Sequence, residues 1–306
     1  MSYFIRKAVA GLITIVALSF LVFSIIRLLP GDPLSLLTSP FTSQATREAI
    51  REELGLDEPL LSQYFQYVRR IIVAGDFGRS FKTGERVIDV LSQRATATLL
   101  LTGSALLLSY MAAFLIAVPV FRKPRGVSDL IGVGVSVLGI SIPPFWLGFL
   151  LILAFSVKLR LLPVAGYGTA KHVVLPILTL AVEGTGATVR MLRTSLLEVR
   201  ASDYIRTARA KGLRESLVLT RHALRNSMIP LLTLLGLRIG WLIGGAVIVE
   251  EVFAWPGLGR TLVESLVNRD YPLFQGIILV LCTAVVLGNL MADVFYVMAD
   301  PRIRHS

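Results

Sequence analysis

Along this chain, long apolar runs alternate with short polar and basic segments. A helix rising 1.5 Å per residue needs about 20 apolar residues to cross the hydrocarbon of a bilayer. Six segments meet or approach that length. They are 8–29, interrupted only by Arg27 near its end; 95–121 and 130–157, both without charge; 173–189, carrying Glu183; 228–249, carrying Arg238; and 272–292. Pro143-Pro144 falls in the middle of 130–157, where proline removes a backbone donor and clashes with the preceding turn, so a kink or break is expected there. The chain opens on Arg6-Lys7 followed by an apolar run of spanning length, which predicts a first membrane helix rather than a cleaved leader.

Between the first two runs, residues 31–94 form a polar, patterned segment. Gly31-Asp32-Pro33 marks a sharp exit from the membrane. "TSQATREAIREELGL" reads as a helix capped by Thr42 or Ser43, with Ala45, Ala49 and Leu54 facing inward. "EPLLSQYFQYVRRIIV" reads as a second helix opened by Pro59, and "GDFGRSFKTGERVIDVLSQR" leads back to the membrane. The expected organisation is a first span in 1–30, a helical extracytoplasmic lobe in 31–94, and a core of five spans in 95–306 with a cytoplasmic loop at 190–227. The fold class is all-α, polytopic, with six transmembrane helices.

Composition supports a membrane protein. Hydrophobic residues make up 54% of the chain and mean hydropathy is +0.72, above the usage of about 45–50% in soluble domains. The excess of 31 basic over 20 acidic residues would suit nucleic acid, but its distribution says otherwise. Segment 31–95 holds eight basic and nine acidic residues, whereas loop 190–225 holds nine and three. Arg122, Lys123, Arg125 and the termini (Arg6, Lys7, Arg302, Arg304) lie on the same side as that loop, so this side and both termini are expected in the cytoplasm.

The basic loop has internal order. Ser202 and Asp203 are placed to cap a short helix. Tyr204, Ala208 and Lys211 recur at helical spacing, as do Arg206, Ala210 and Leu213. Ala208 and Ala210 keep that helix slim enough for close approach of another surface, Gly212 is a natural terminator, and Pro230 is placed to open the fifth span. Charge alone fits a simpler role, in which each Lys or Arg near an anionic lipid surface contributes about 1 kcal/mol.

Glu183 and Arg238 are the strongly ionisable residues deep in spans. Glu183 lies about 16 Å beyond His172 and Arg238 about 15 Å beyond Met228 along their helices, so both fall near mid-bilayer. Intramembrane charge is costly and marks a pathway or a pair; these two are the candidates for such a pair. Gly184, Thr185, Gly186 and Ala187 are small enough to allow close helix packing. Trp255, beside Pro256 and Gly257, is expected at the outer membrane interface. His172, His222, His305 and Cys282 have no ligand spacing, so no metal site is expected. A phosphate-binding G-x-x-x-x-G-K-[ST] loop is absent, so energy must come from another chain.

"DYIRTARAKG" followed by "RHALRN" and a proline resembles the cytoplasmic signature of inner-membrane permease subunits of ATP-binding-cassette importers. The wider family begins this signature Glu-Ala-Ala; here Arg206-Thr207-Ala208 stands in that place and Gly212 holds the glycine. These departures, and the long Gly212-to-Pro230 gap, are similar to the dipeptide, oligopeptide and nickel branch. "RLLPGDP", "ELGLDEPLLSQY", "GDFGRS", "SIPPFWLG", "GGAVIVEEVFAWPGLGR", "NRDYP" and "DPRIR" resemble that branch in order along the whole chain.

The resemblance implies a non-catalytic subunit forming half of an alternating-access pathway. Its partners would be a homologous permease in a heterodimer, two ATPase subunits that bind ATP and magnesium, and an extracytoplasmic solute-binding protein. Residues Asp203, Tyr204, Arg206, Thr207, Ala208, Arg209, Ala210, Lys211 and Gly212 would dock on an ATPase subunit. This chain itself would carry no cofactor. The expected solutes are dipeptides or oligopeptides, with nickel, a metal chelate or a glutathione-like solute as alternatives; outside this class the competing reading is an intramembrane enzyme or channel.

Overall fold

The computed structural model describes residues 2–28 and 58–299. The expected helix over 42–56, the Gly31–Pro33 exit, and Arg302, Arg304 and His305 lie outside the described residues. Within them the regular elements are helices joined by loops, with one isolated antiparallel bridge between Arg79 and Arg86. The helices are α1 (Ser2–Leu28), α2 (Leu60–Ala74), α3 (Val87–Arg122), α4 (Val127–Ser141), α5 (Pro144–Leu151), α6 (Ala170–Ala201), α7 (Asp203–Ala210), α8 (Leu224–Val252), α9 (Leu258–Val267) and α10 (Tyr271–Ala299). A π-helical stretch, Ile152–Lys158, continues α5, and another, Val218–Ala223, leads into α8.

Among the described residues four helices are long and apolar enough to cross a membrane unbroken: α1, α3, α6 and α10. Two bent pairs raise the number to six if each counts as one span. The first pair is α4 with Pro144–Lys158, which turn by 103°. The break falls at Ile142-Pro143-Pro144: Ile142 and Pro143 are extended, and Pro144 becomes the first residue of α5, where its missing N–H costs nothing. What the sequence presents as one kinked span is therefore two helices meeting at a sharp corner. The second bend, 48°, lies between Gly240 and Leu242.

The charged stretch 190–201 continues the fourth span without a break, making α6 32 residues long. Other features differ from the hydropathy reading. Pro230 lies inside α8 rather than at its start, because the helix begins at Leu224 and is approached through a π-helical turn. Trp255 is buried, 2% exposed, with its ring edge-on to Tyr167 at 4.8 Å. The Gly166 amide also donates to the Phe253 carbonyl at 2.9 Å, so the two loops containing "GYG" and "FAWPG" form one packed feature.

The chain folds as two compact units. The first comprises 1–97 and 257–286. Within it, α2 packs on α1 through Tyr64, whose ring meets Phe20 and Phe23 edge-on and whose hydroxyl lies 2.6 Å from Ser19 Oγ. Arg27, the charge near the end of the first span, donates from Nε to Gln63 Oε1 at 2.6 Å and lies over the Phe23 ring. A second cluster joins Val87, Leu91, Leu258, Leu273 and Ile277. Asp270 holds the 78–86 turn by accepting from Ser80 Oγ at 2.5 Å and from the Phe81 amide at 3.0 Å.

The second unit comprises 98–256 and 287–306. Its centre is the crossing of α4 and α6, where Gly139 and Gly186 meet. A Cβ on Gly139 would sit 2.7 Å from the Val182 carbonyl oxygen, so glycine sets the spacing of the two backbones. On another side of α6, Ser109 of α3 donates to the Ala181 carbonyl at 3.0 Å. Gly184 and Gly186 thus lie where α3 and α4 come close to α6.

Candidate functional site

Two constellations in the second unit contain the residues singled out from sequence. The first is α7 and its surroundings. Ser202 adopts an extended conformation and interrupts the helix between Ala201 and Asp203. Neither Ser202 nor Asp203 caps α7 with its side chain: the Ser202 hydroxyl turns back and donates to the Val199 carbonyl at 2.5 Å. The helix ends where expected. Lys211 is its C-cap, and Gly212 follows with φ +73°, a left-handed conformation that costs a residue with a Cβ about 1–2 kcal/mol.

The eight residues of α7 have two distinct faces. Ile205 and Ala208 are buried in a cluster with Leu192 and Leu196 of α6, Ala117 and Phe121 of α3, Val218, Leu219 and Ala223 of the π-helical stretch, and Leu231 of α8. The small side chain of Ala208 therefore serves packing against the chain's own core. Asp203, Tyr204, Arg206, Thr207, Ala210, Lys211 and Gly212 are exposed. Asp203 and Arg206 form an open pair at 3.6 Å, and Thr207 Oγ1 donates to the Asp203 carbonyl.

Arg209 lies between the faces. It donates through Nε and Nη2 to both oxygens of Glu215, at 3.1 and 2.7 Å, and stands over the Phe121 ring. That bidentate contact raises the guanidinium above its ordinary range, so Arg209 stays charged. Arg200 of α6 stands over the same ring and donates to the Phe121 carbonyl. The Tyr204 hydroxyl accepts from Asn226 Nδ2 at 2.9 Å, tying α7 to the first turn of α8. A short charged helix is thus fixed to the ends of three long ones, with an exposed polar face remaining.

The second constellation is Glu183 of α6 with Arg238 of α8. Arg238 Nη1 donates to Glu183 Oε1 at 3.1 Å, and their side chains are only 11% and 14% exposed for Arg238 and Glu183 respectively. The other carboxylate oxygen, Oε2, is buried without a hydrogen-bond partner among the described residues. Two residues 55 positions apart in sequence are joined across the helix pair that flanks α7.

Three further polar contacts escape a reading by hydropathy. Thr98 Oγ1 donates to the fully buried Glu250 at 2.6 Å. Asp129 accepts from Arg193 Nε at 2.5 Å and from the Arg125 amide at 3.0 Å. Arg209 finds Glu215, as described above. Glu250 and Asp129 each lie one residue outside an apolar run, where a charge looks like part of a solvated loop. Among the described residues no group of three His, Cys, Asp or Glu side chains is placed to hold a metal ion. His172 instead pairs its Nδ1 with Thr169 Oγ1.

The described residues thus form a polytopic helical protein with a short charged helix between its fourth and fifth long segments. Comparison with known proteins places it more closely. Residues 105–305 match the family described as the binding-protein-dependent transport system inner membrane component, and residues 1–102 match that family's N-terminal region. The chain belongs to this family: it is an inner-membrane permease subunit of a binding-protein-dependent ABC importer.

It is 41% identical over 309 residues to the glutathione transport system permease protein GsiC of Escherichia coli strain K12, covering 100% of both chains. The GsiC protein of Shigella dysenteriae serotype 1 strain Sd197 is equally similar over the same extent. The fold resembles that of an amino acid ABC transporter crystallised with histidines, at a TM-score of 0.54 and 15% identity, covering 68% of this chain and 94% of the other. As a member of this family the chain is a non-catalytic, multi-pass membrane component.

Proposed function

We propose that this permease subunit carries short peptides inward, with α7 as the element through which ATPase subunits drive it. The observation that carries the reading is the attachment of α7. Its buried face is shared by α3, α6 and α8, so a force applied to its exposed face reaches three long helices without a flexible joint. Asp203, Tyr204, Arg206, Thr207, Ala210 and Lys211 form the docking face; Ala208, Arg209 and Gly212 hold that face in position. The chain pairs with a homologous permease and two ATPase subunits and receives solute from an extracytoplasmic binding protein. Its termini and loop 190–227 face the cytoplasm, and the polar segment 31–94 faces outward. The Glu183–Arg238 pair lies beside the pathway.

A glutathione-like solute is the second reading, supported by 41% identity over the full chain to permeases named for glutathione transport. Both readings concern small peptides, and they separate experimentally. Proteoliposomes containing the permease pair and the ATPases are supplied with the cognate binding protein, ATP and radiolabelled dipeptide, oligopeptide or glutathione. Uptake of dipeptide or oligopeptide supports the first reading, uptake of glutathione alone supports the second, and uptake of neither overturns both. For docking, Cys282→Ser provides a cysteine-free background, into which a cysteine at Arg206 is introduced. Crosslinking to an ATPase subunit is expected, and failure at Arg206 and Lys211 alike removes α7 from the interface.

A further inference from the structure

A cavity of about 320 Å³ lies between α4 and α6, lined by Val133, Val137, Ile140 and Ser141 on one side and by Arg190 and Arg193 on the other. We propose that it is a binding site for one anionic phospholipid, with the headgroup phosphate at the two arginines and an acyl chain along α4.

The layout is that of an amphiphile. Arg193 is tied to Asp129, two residues into α4, so both arginines sit at that end of the helix pair. From there the cavity follows α4 from Val133 to Ser141, about 12 Å at the helical rise, along side chains that offer methyl groups. Val133, Val137 and Ile140 are 42%, 58% and 46% exposed, an apolar surface suited to a hydrocarbon chain. Ser136 lines the same wall, but its hydroxyl is already used on the Gly132 carbonyl. Arg190 lies 20 residues beyond Ala170, about 30 Å along α6, which is the thickness of the hydrocarbon layer. That places its guanidinium at headgroup level.

The charge at the mouth is positive and underused. Asp129, at the same end of the helix pair, is engaged by Arg193 Nε and by the Arg125 amide. The Nη groups of Arg193 make no hydrogen bond among the described residues, nor does the guanidinium of Arg190. Two guanidinium groups beside one neutralised carboxylate match a phosphate diester. Basic pockets between membrane helices at the headgroup level hold anionic lipids in this way. A zwitterionic headgroup gains less, because its own ammonium opposes the arginines.

The test uses the assembled importer, extracted from nanodiscs of one part phosphatidylglycerol to four parts phosphatidylcholine, with retained lipids read by native mass spectrometry. Wild-type complex is expected to retain phosphatidylglycerol selectively. Arg190→Gln should lower that retention about fivefold, the loss of one charge near the surface, while Arg190→Lys largely restores it. Equal retention by wild type and Arg190→Gln overturns the site. Release of the lipid by the transported solute would mark a solute site instead and also overturns it.

Photoactivatable phosphatidylglycerol gives a reading on wild-type protein that does not depend on how a variant folds. Crosslinks within 133–141 and 190–193 are expected. Crosslinks confined to other helices, or crosslinks from the partner permease filling this face, remove the lipid from the cavity. None of these readouts requires uptake, so the transport reading stands or falls separately.

Discussion

Glu183 and Arg238 each occupy a position that leucine would fill without removing a charge from water. On insertion scales a lone charge at mid-helix costs about 2.5–3.5 kcal/mol, and the contact at 3.1 Å offsets that cost only while both partners remain. The pair is therefore expected to show strong coupling when dissected. Arg238→Gln leaves a carboxylate, which can take up a proton; Glu183→Gln leaves a guanidinium, which cannot lose one. Glu183→Gln should be the more damaging, by up to about 3 kcal/mol, and the double variant should recover much of the loss. Thermal unfolding of the complex in nanodiscs, run as a double-mutant cycle, reads this directly. Additive effects of the two substitutions would show that the pair contributes nothing as a pair. A buried glycine gives a second residue-scale expectation. Gly139→Leu must push α4 off α6, because even its Cβ meets the Val182 carbonyl at 2.7 Å. Overpacking of this kind costs about 1–3 kcal/mol, so a fall in the melting temperature of the same preparation is expected, and an unchanged one would mean the helices separate freely.

At the scale of the element, α7 shows how two faces of eight residues divide their work. Ile205 has no exposed surface and sits among Leu192, Leu196 and Phe121. Ile205→Ala should cost about 2–5 kcal/mol through the lost methylene groups and the cavity left behind. Arg206, whose side chain is 75% exposed and bonded only to an open partner, contributes little to stability. Arg206→Glu should leave the melting temperature unchanged yet reduce co-purification of the ATPase subunits. If it destabilises the permease and leaves the association intact, the exposed face is not a docking face. The existence and limits of α7 were legible in sequence because Ser202 and Gly212 are local signals, but its buried face was not, since the spacing read there joined Tyr204, Ala208 and Lys211 and passed over Ile205. The inward orientation of Ala208 was not, since a small residue reads equally well as a contact for a partner or for the core. The 103° corner at Pro143-Pro144 was half legible: proline forbids a straight helix, but the angle depends on how α5 packs afterwards. Asp129 and Glu250 escape for one reason. A window that ends at the last apolar residue discards the charge beside it, and whether that charge is solvated or paired depends on a residue 64 or 152 positions away.

At the scale of the whole molecule, the fourth and fifth long segments are joined at two levels. Near the basic loop, α6 and α8 share the cluster around Ile205 and Ala208; further along the same helices, Glu183 bonds to Arg238. Two attachments separated along a pair of rods resist their twisting as well as their parting. Under the proposed coupling role, a displacement of α7 would be passed to α6 and α8 together. This predicts a separation of functions. Weakening the far attachment with Glu183→Gln and Arg238→Gln together should leave ATPase association intact, because the cluster at α7 is untouched. Uptake per ATP hydrolysed should nevertheless fall, since part of the motion is lost between α7 and mid-membrane. The measurement is the ratio of solute accumulated to phosphate released in proteoliposomes containing the assembled importer and its binding protein. A ratio equal to wild type would show that α6 and α8 need no second attachment. A parallel fall in ATP hydrolysis and uptake, with the ratio preserved, would place the effect at the ATPase contact rather than along the helices.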